Sequence, residues 1–126
     1  MRTKLTESQI EELAMKIREI LLKHKVWQNT FIFFNNKRLG SYDSKSGTYH
    51  HNDPNKVIIE ENVNPNDYFD NIGLTLTMSF LGPLYDVFNY DSQPELLRDL
   101  TDLFREYNVY YEMGDSWNLS LYPFYN

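Results

Sequence analysis

Apolar and small polar residues alternate without a miss over residues 74–80, Leu-Thr-Leu-Thr-Met-Ser-Phe. Successive strand side chains point to opposite faces, so Leu74, Leu76, Met78 and Phe80 share one face while Thr75, Thr77 and Ser79 share a wet one. A one-residue slip in pairing would put the four large apolar groups in water, so this strand sets the register of its neighbours. A helical period opens the chain instead: over residues 6–25, Ile10, Leu13, Ala14, Ile17, Ile20 and Leu21 form one stripe. Two capping boxes compete for its start, Thr6 with Gln9 and Ser8 with Glu11, and His24 suits the dipole at its end. Residues 30–34 are aromatic and β-branched, Asn35-Asn36 suits a tight hairpin, and residues 37–42 return as a more polar strand near a sheet edge.

Residues 43–55 hold Ser, Gly, Asn, Asp, Pro and His with almost nothing apolar, which predicts a long, exposed, mobile loop. Residues 57–59 begin a third strand, Asn64-Pro65-Asn66-Asp67 marks a turn, and Gly82-Pro83 predicts a bend with residues 84–88 continuing as strand. Ser92-Gln-Pro-Glu95 opens a second helix to about Tyr107, with Leu96, Leu97, Leu100, Leu103, Phe104 and Tyr107 inward. Residues 109–113 and 116–122 close the chain as a hairpin around Gly114-Asp115, again with one wet face carrying Asn118, Ser120 and Tyr122. The expected class is α+β, one domain spanning residues 1–126, with a single antiparallel sheet of about five to six strands and two helices packed on one face. A strongly curved sheet closing on a pocket is the alternative.

Charge sharpens this picture. The net charge of -6 hides two halves of opposite sign: residues 1–56 hold ten of the twelve Lys and Arg with six acids, and residues 57–126 hold Arg98 and Arg105 with twelve acids. An acidic carboxyl-terminal half attracts a basic partner and disfavours direct nucleic-acid binding. Without cysteine there is no disulfide, thiolate site or cysteine nucleophile. The charged start gives no signal peptide, and the longest apolar run, residues 31–34, is far short of the ~20 residues a bilayer needs; the expectation is a cytoplasmic protein with no membrane role.

Candidate chemistry is sparse. No nucleotide-binding, hydrolase or zinc-peptidase motif is present, and no catalytic, cofactor or metal residue is assigned. His50 and His51 with Asp53 lack a distant ligand set, and Asp67 and Asp70 with Asn64, Asn66 and Asn71 do not match a calcium loop. Glu60 and Glu61 point to opposite faces of a strand and cannot act as a facing pair. Lys37, Arg38, Lys45 and Lys56 with Tyr42 or Tyr49 make a thin basic and aromatic surface. The most ordered polar feature is Glu95, Asp99, Asp102 and Glu106, at i, i+4, i+7 and i+11 on the second helix. That row is either a solvated outer face or a surface that mimics phosphates to a basic protein.

In general character, short, acidic, cysteine-free and rich in Asn and Tyr, the chain resembles small accessory proteins of phages and mobile elements of low-GC bacteria, a class that includes anti-CRISPR, anti-restriction and toxin-immunity proteins. The resemblance is one of composition and implies a non-enzymatic inhibitor. The leading expectation is a protein whose acidic second helix, through Glu95, Asp99, Asp102 and Glu106, occludes a basic protein such as a nuclease. Its rivals are a small enzyme or ligand binder with a pocket between sheet and loop, lined by Tyr with Thr75, Thr77 or Ser79, and a structural subunit that forms a homodimer through an exposed strand.

Overall fold

The structure is a computed structural model that describes residues 5–68 and 75–124. Its elements run α1 (Glu7–Lys23), β1 (Thr30–Phe34), β2 (Lys37–Gly40), β3 (Tyr42–Asp43), β4 (Thr48–Tyr49), β5 (Ile58–Glu60), β6 (Leu76–Phe80), α2 (Pro83–Tyr90), α3 (Pro94–Glu106), β7 (Val109–Met113) and β8 (Asn118–Pro123). Six strands form one antiparallel sheet in the order β5-β2-β1-β6-β8-β7, and β3 and β4 form a separate two-stranded hairpin. The class is α+β with a mainly antiparallel sheet. The described residues carry three α-helices where two are expected.

The organising strand is β6, central between β1 and β8, with Met78 opposite both Ile32 and Leu119. Leu74 lies outside the described residues. Leu76, Met78 and Phe80 belong to one hydrophobic cluster with Ile32, Phe34, Leu39, Leu119 and Leu121 of neighbouring strands and with Leu13, Ile17, Leu21, Leu84, Leu96 and Leu100 of the helices. Each fully buried leucine contributes about 2 kcal/mol by leaving water. The start of α1 resolves to Thr6, whose hydroxyl accepts from Gln9 N at 3.1 Å while Gln9 Oε1 accepts from Thr6 N at 2.9 Å. Asn35 and Asn36, with φ of 48° and 60°, make the tight turn between β1 and β2.

Several expectations are corrected. Residues 84–88 are not strand: Pro83 takes the first position of α2, where its missing N–H costs nothing, and Leu84 and Val87 turn inward one helical turn apart. Ser92 is not the cap: Gln93 holds that position before α3, and its side chain makes no capping bond. The outer strand on that side is β5, not β2. The second face of β6 and β8 is not wet: Thr75, Thr77, Asn118 and Ser120 are buried, and the Thr77 and Ser120 hydroxyls bond each other at 2.9 Å. Paired hydroxyls avoid the cost that an unpartnered buried one would carry.

Residues 43–55 also differ from a loose loop. The β3–β4 hairpin opens this segment. Asn52 then bonds Trp27 twice, accepting from Trp27 N through Oδ1 at 2.8 Å and donating from its own N to Trp27 O at 2.9 Å. Arg18, buried on α1, donates to the carbonyls of Asp53, Pro54 and Lys56. Burial lowers the Arg18 pKa without threatening its charge; the three carbonyls share one amino group of the guanidinium, and its buried Nε has no hydrogen-bond partner among the described residues.

Candidate functional site: an aromatic cleft on the second sheet face

Strand alternation builds the site. With Ile32 and Phe34 in the core, Phe31 and Phe33 of β1 project to the other face. Register places Phe33 between Arg38 of β2 and Thr77 of β6, and Phe31 between Gly40 and Ser79. Arg38 in turn faces Glu60 of β5, and its guanidinium donates to Glu60 Oε1 at 2.6 Å. The same guanidinium lies 4.5 Å from the Phe31 ring centre and 5.8 Å from that of Tyr68. Tyr68 packs on Phe33 with centroids 5.4 Å apart. Such cation–ring and ring–ring contacts hold long side chains in one arrangement.

The β3–β4 hairpin supplies the facing wall. Tyr42 and Tyr49 pair across it with ring centres 4.7 Å apart, and His51 packs on Tyr49 at 5.1 Å. Ser44 on the hairpin donates to Glu60 Oε2 at 3.3 Å, so Glu60 joins the hairpin to the sheet through Arg38. At the other end, Leu81 N donates to Asn29 O at 3.1 Å and Phe80 N to Trp117 O at 2.8 Å, which ties three separate segments into one rim. Between these walls lies an open cleft of about 490 Å³ lined by Phe31, Phe33, Arg38, Tyr42, Tyr49, Tyr68, Leu81 and Trp117, with Asn29, Ser41 and Ser79 as polar points. Tyr49, Tyr68 and Leu81 are 58%, 52% and 74% exposed, so three of the chain's large exposed apolar side chains converge on one concavity.

The acidic row lies elsewhere, on α3. Glu95, Asp102 and Glu106 are exposed, whereas Asp99 is half-buried. Asp99 Oδ2 accepts from His24 Nε2 at 2.7 Å and from Lys23 Nζ at 3.3 Å, tying α3 to the end of α1. The His24 bond, with Lys23 behind it, holds the Asp99 carboxyl below the ordinary carboxylate range. Asp102 lies 3.6 Å from Arg105, and Glu106 lies within electrostatic reach of Lys16. Glu12 of α1 accepts from the Tyr107 hydroxyl, which lowers the Glu12 pKa.

Of the residues weighed for a pocket, Ser79 lines the cleft and Thr75 and Thr77 do not, while Tyr42, Tyr49 and Arg38, weighed as a basic and aromatic surface, line it too. Glu61 sits 3.9 Å from Lys37, on the opposite side of β5 from the Glu60 contacts. Among the described residues no three His, Asp or Glu side chains gather, and no helix is long and apolar enough to cross a membrane. Asp70 and Asn71 of the weighed calcium set fall outside the described residues. Phe31, Phe33, Tyr68 and Trp117 are not singled out by the sequence; the unbroken apolar run over residues 31–34, which puts rings on both faces of a strand, is the available signal for the first two.

Comparison with known protein families, with characterised proteins and with solved structures gives no match. The residues of the cleft and of α3 therefore carry the functional argument.

Proposed function

We propose that this chain is a non-enzymatic binding protein whose working site is the aromatic cleft on the second face of the sheet. The helices, on this reading, cover the first face and leave the part of the second around β1 and β2 to the ligand. The observation that carries it is the convergence of exposed Tyr49, Tyr68 and Leu81 on one concavity. Apolar groups placed in water at a single concave site favour an occupant that removes them from it. The volume, about 490 Å³, falls within the range usual for small-molecule pockets. A cytoplasmic setting fits this reading. Ligand-observed NMR with a fragment library tests it, with hits mapped by chemical shift onto the labelled full chain. Hits should perturb Phe31, Tyr42 and Trp117 together. Hits that scatter over the surface, or none at all, would remove the cleft as the working site.

A second reading keeps α3 as a surface for a basic protein such as a nuclease, in the manner of the phage accessory proteins. It is favoured by the exposure of Glu95, Asp102 and Glu106 on one helix, and Asp99 enters it only if it leaves His24 and Lys23. Its association rate would fall steeply as salt rises, and a salt-independent rate counts against it.

A further inference from the structure

We propose that the cleft takes a small, flat, uncharged heteroaromatic molecule, and that the missing side chain of Gly40 sets how deeply that molecule seats. The inference rests on the binding role proposed above and specifies its ligand.

Gly40 stands opposite Phe31 across β1 and β2, and a Cβ built on it would lie 2.4 Å from Cδ1 and 2.6 Å from Cε1 of the phenyl ring. No side chain fits there, so the ring leans against bare backbone on the floor of the cleft. Any larger residue drives the ring off that seat, against Arg38 or into the cleft. A glycine inside a strand weakens it, and here it makes room for a ring that solvent, not the core, adjoins.

Charge selects among occupants. Arg38 is the one charged residue among the described lining, and Glu60 already holds it at 2.6 Å. A carboxylate or phosphate would sit beside Glu60, which already neutralises Arg38, and a cation would find no unengaged carboxylate among the described walls. The buried Arg38 Nε–H, unpartnered among the described residues, suits a neutral acceptor atom. A neutral ligand therefore loses least on entry. Shape narrows the choice again: aromatic side chains face the space from the sheet through Phe31 and from the hairpin through Tyr42 and Tyr49. Ring faces favour a flat ring in offset or edge contact over an aliphatic body of the same volume. Ser79 and Asn29 set hydrogen-bonding groups among those rings, which suits nitrogen or oxygen atoms within the ligand.

Trp117 lines the cleft whereas Trp27 is fully buried, so their two indole N–H signals separate a cleft event from a global one. The isotope-labelled full chain is titrated at neutral pH with benzimidazole, with benzimidazole carboxylate and with cyclohexanol. Benzimidazole should move the Trp117 signal saturably and leave Trp27 in place, and the other two should bind about tenfold more weakly or worse. Gly40→Ala should weaken benzimidazole by about tenfold, with its fold checked by thermal melting. Tyr42→Ser, which alters the hairpin wall and not the floor, should weaken it as well and decides the matter if the glycine variant unfolds. Equal affinity for the carboxylate or for cyclohexanol overturns the ligand class, and so does a folded Gly40→Ala chain that binds as the parent does. Silence from all three probes also overturns it, while the fragment screen separately decides whether the cleft binds anything.

Discussion

Asp99 shows how one carboxylate is divided between surface and fold. Its bonds to His24 and Lys23 depress its pKa, so the stability it contributes is present above the ordinary carboxylate range and is lost as pH falls through its lowered folded value. Asp99→Asn should therefore destabilise the chain at neutral pH, and the gap between parent and variant should shrink below about pH 4. Urea midpoints measured at neutral and acidic pH check this, and a gap that widens on acidification would contradict it. Helical spacing placed Asp99 in line with Glu95, Asp102 and Glu106, and α3 carries all four. Spacing could not reveal that the end of α1 passes beside the second of them, because that contact joins residues 75 positions apart. Thr77 has the same limitation. Alternation put it correctly opposite Met78, but what buries a face is decided by the rest of the chain.

At the scale of elements, two similar sequence signals have different outcomes. Thr6 with Gln9 closes a reciprocal capping box, whereas Ser92 with Glu95 stays open because the chain enters α3 through Gln93 and Pro94. Thr6→Ala should cost about 1 kcal/mol of unfolding free energy. Ser92→Ala should stay within about 0.5 kcal/mol, as an exposed position without a structural bond. Paired urea titrations compare them directly, and equal losses would mean that the α3 start had been misread. The long amphipathic helices were legible because their apolar stripes span several turns, and the Asn-Asn hairpin because it needs two positive φ values. The eight-residue helix α2 was not: its Leu, Tyr, Val and Phe suit a strand equally well, and only Pro at the first helical position favours the helix. The β3–β4 segment is missed for another reason. The residues that follow it, 52–56, are anchored by Arg18 and Trp27 on earlier parts of the chain, and residues 43–55 themselves look like any polar loop.

For the whole molecule, core and cleft use alternate residues of the same strands: Ile32 and Phe34 belong to the hydrophobic cluster, and Phe31 and Phe33 to the cleft. This arrangement makes stability and binding separable, since a void among the core side chains leaves the register of β1, β2 and β6 in place. Leu100 on α3 is the position to test, being fully buried in the cluster and absent from the cleft lining. Leu100→Ala removes three carbon atoms' worth of packing and should cost about 3 kcal/mol, read as a lower urea midpoint at unchanged slope. Domains of this size have about 5–15 kcal/mol to lose, so the variant stays folded at low denaturant. Under those conditions its affinity for a cleft ligand should match that of the parent. If affinity falls along with stability, the cleft is not a rigid feature of the sheet. Its walls would then be held by the core through β1, and ligand binding would have to be treated as coupled to the folding of the whole chain.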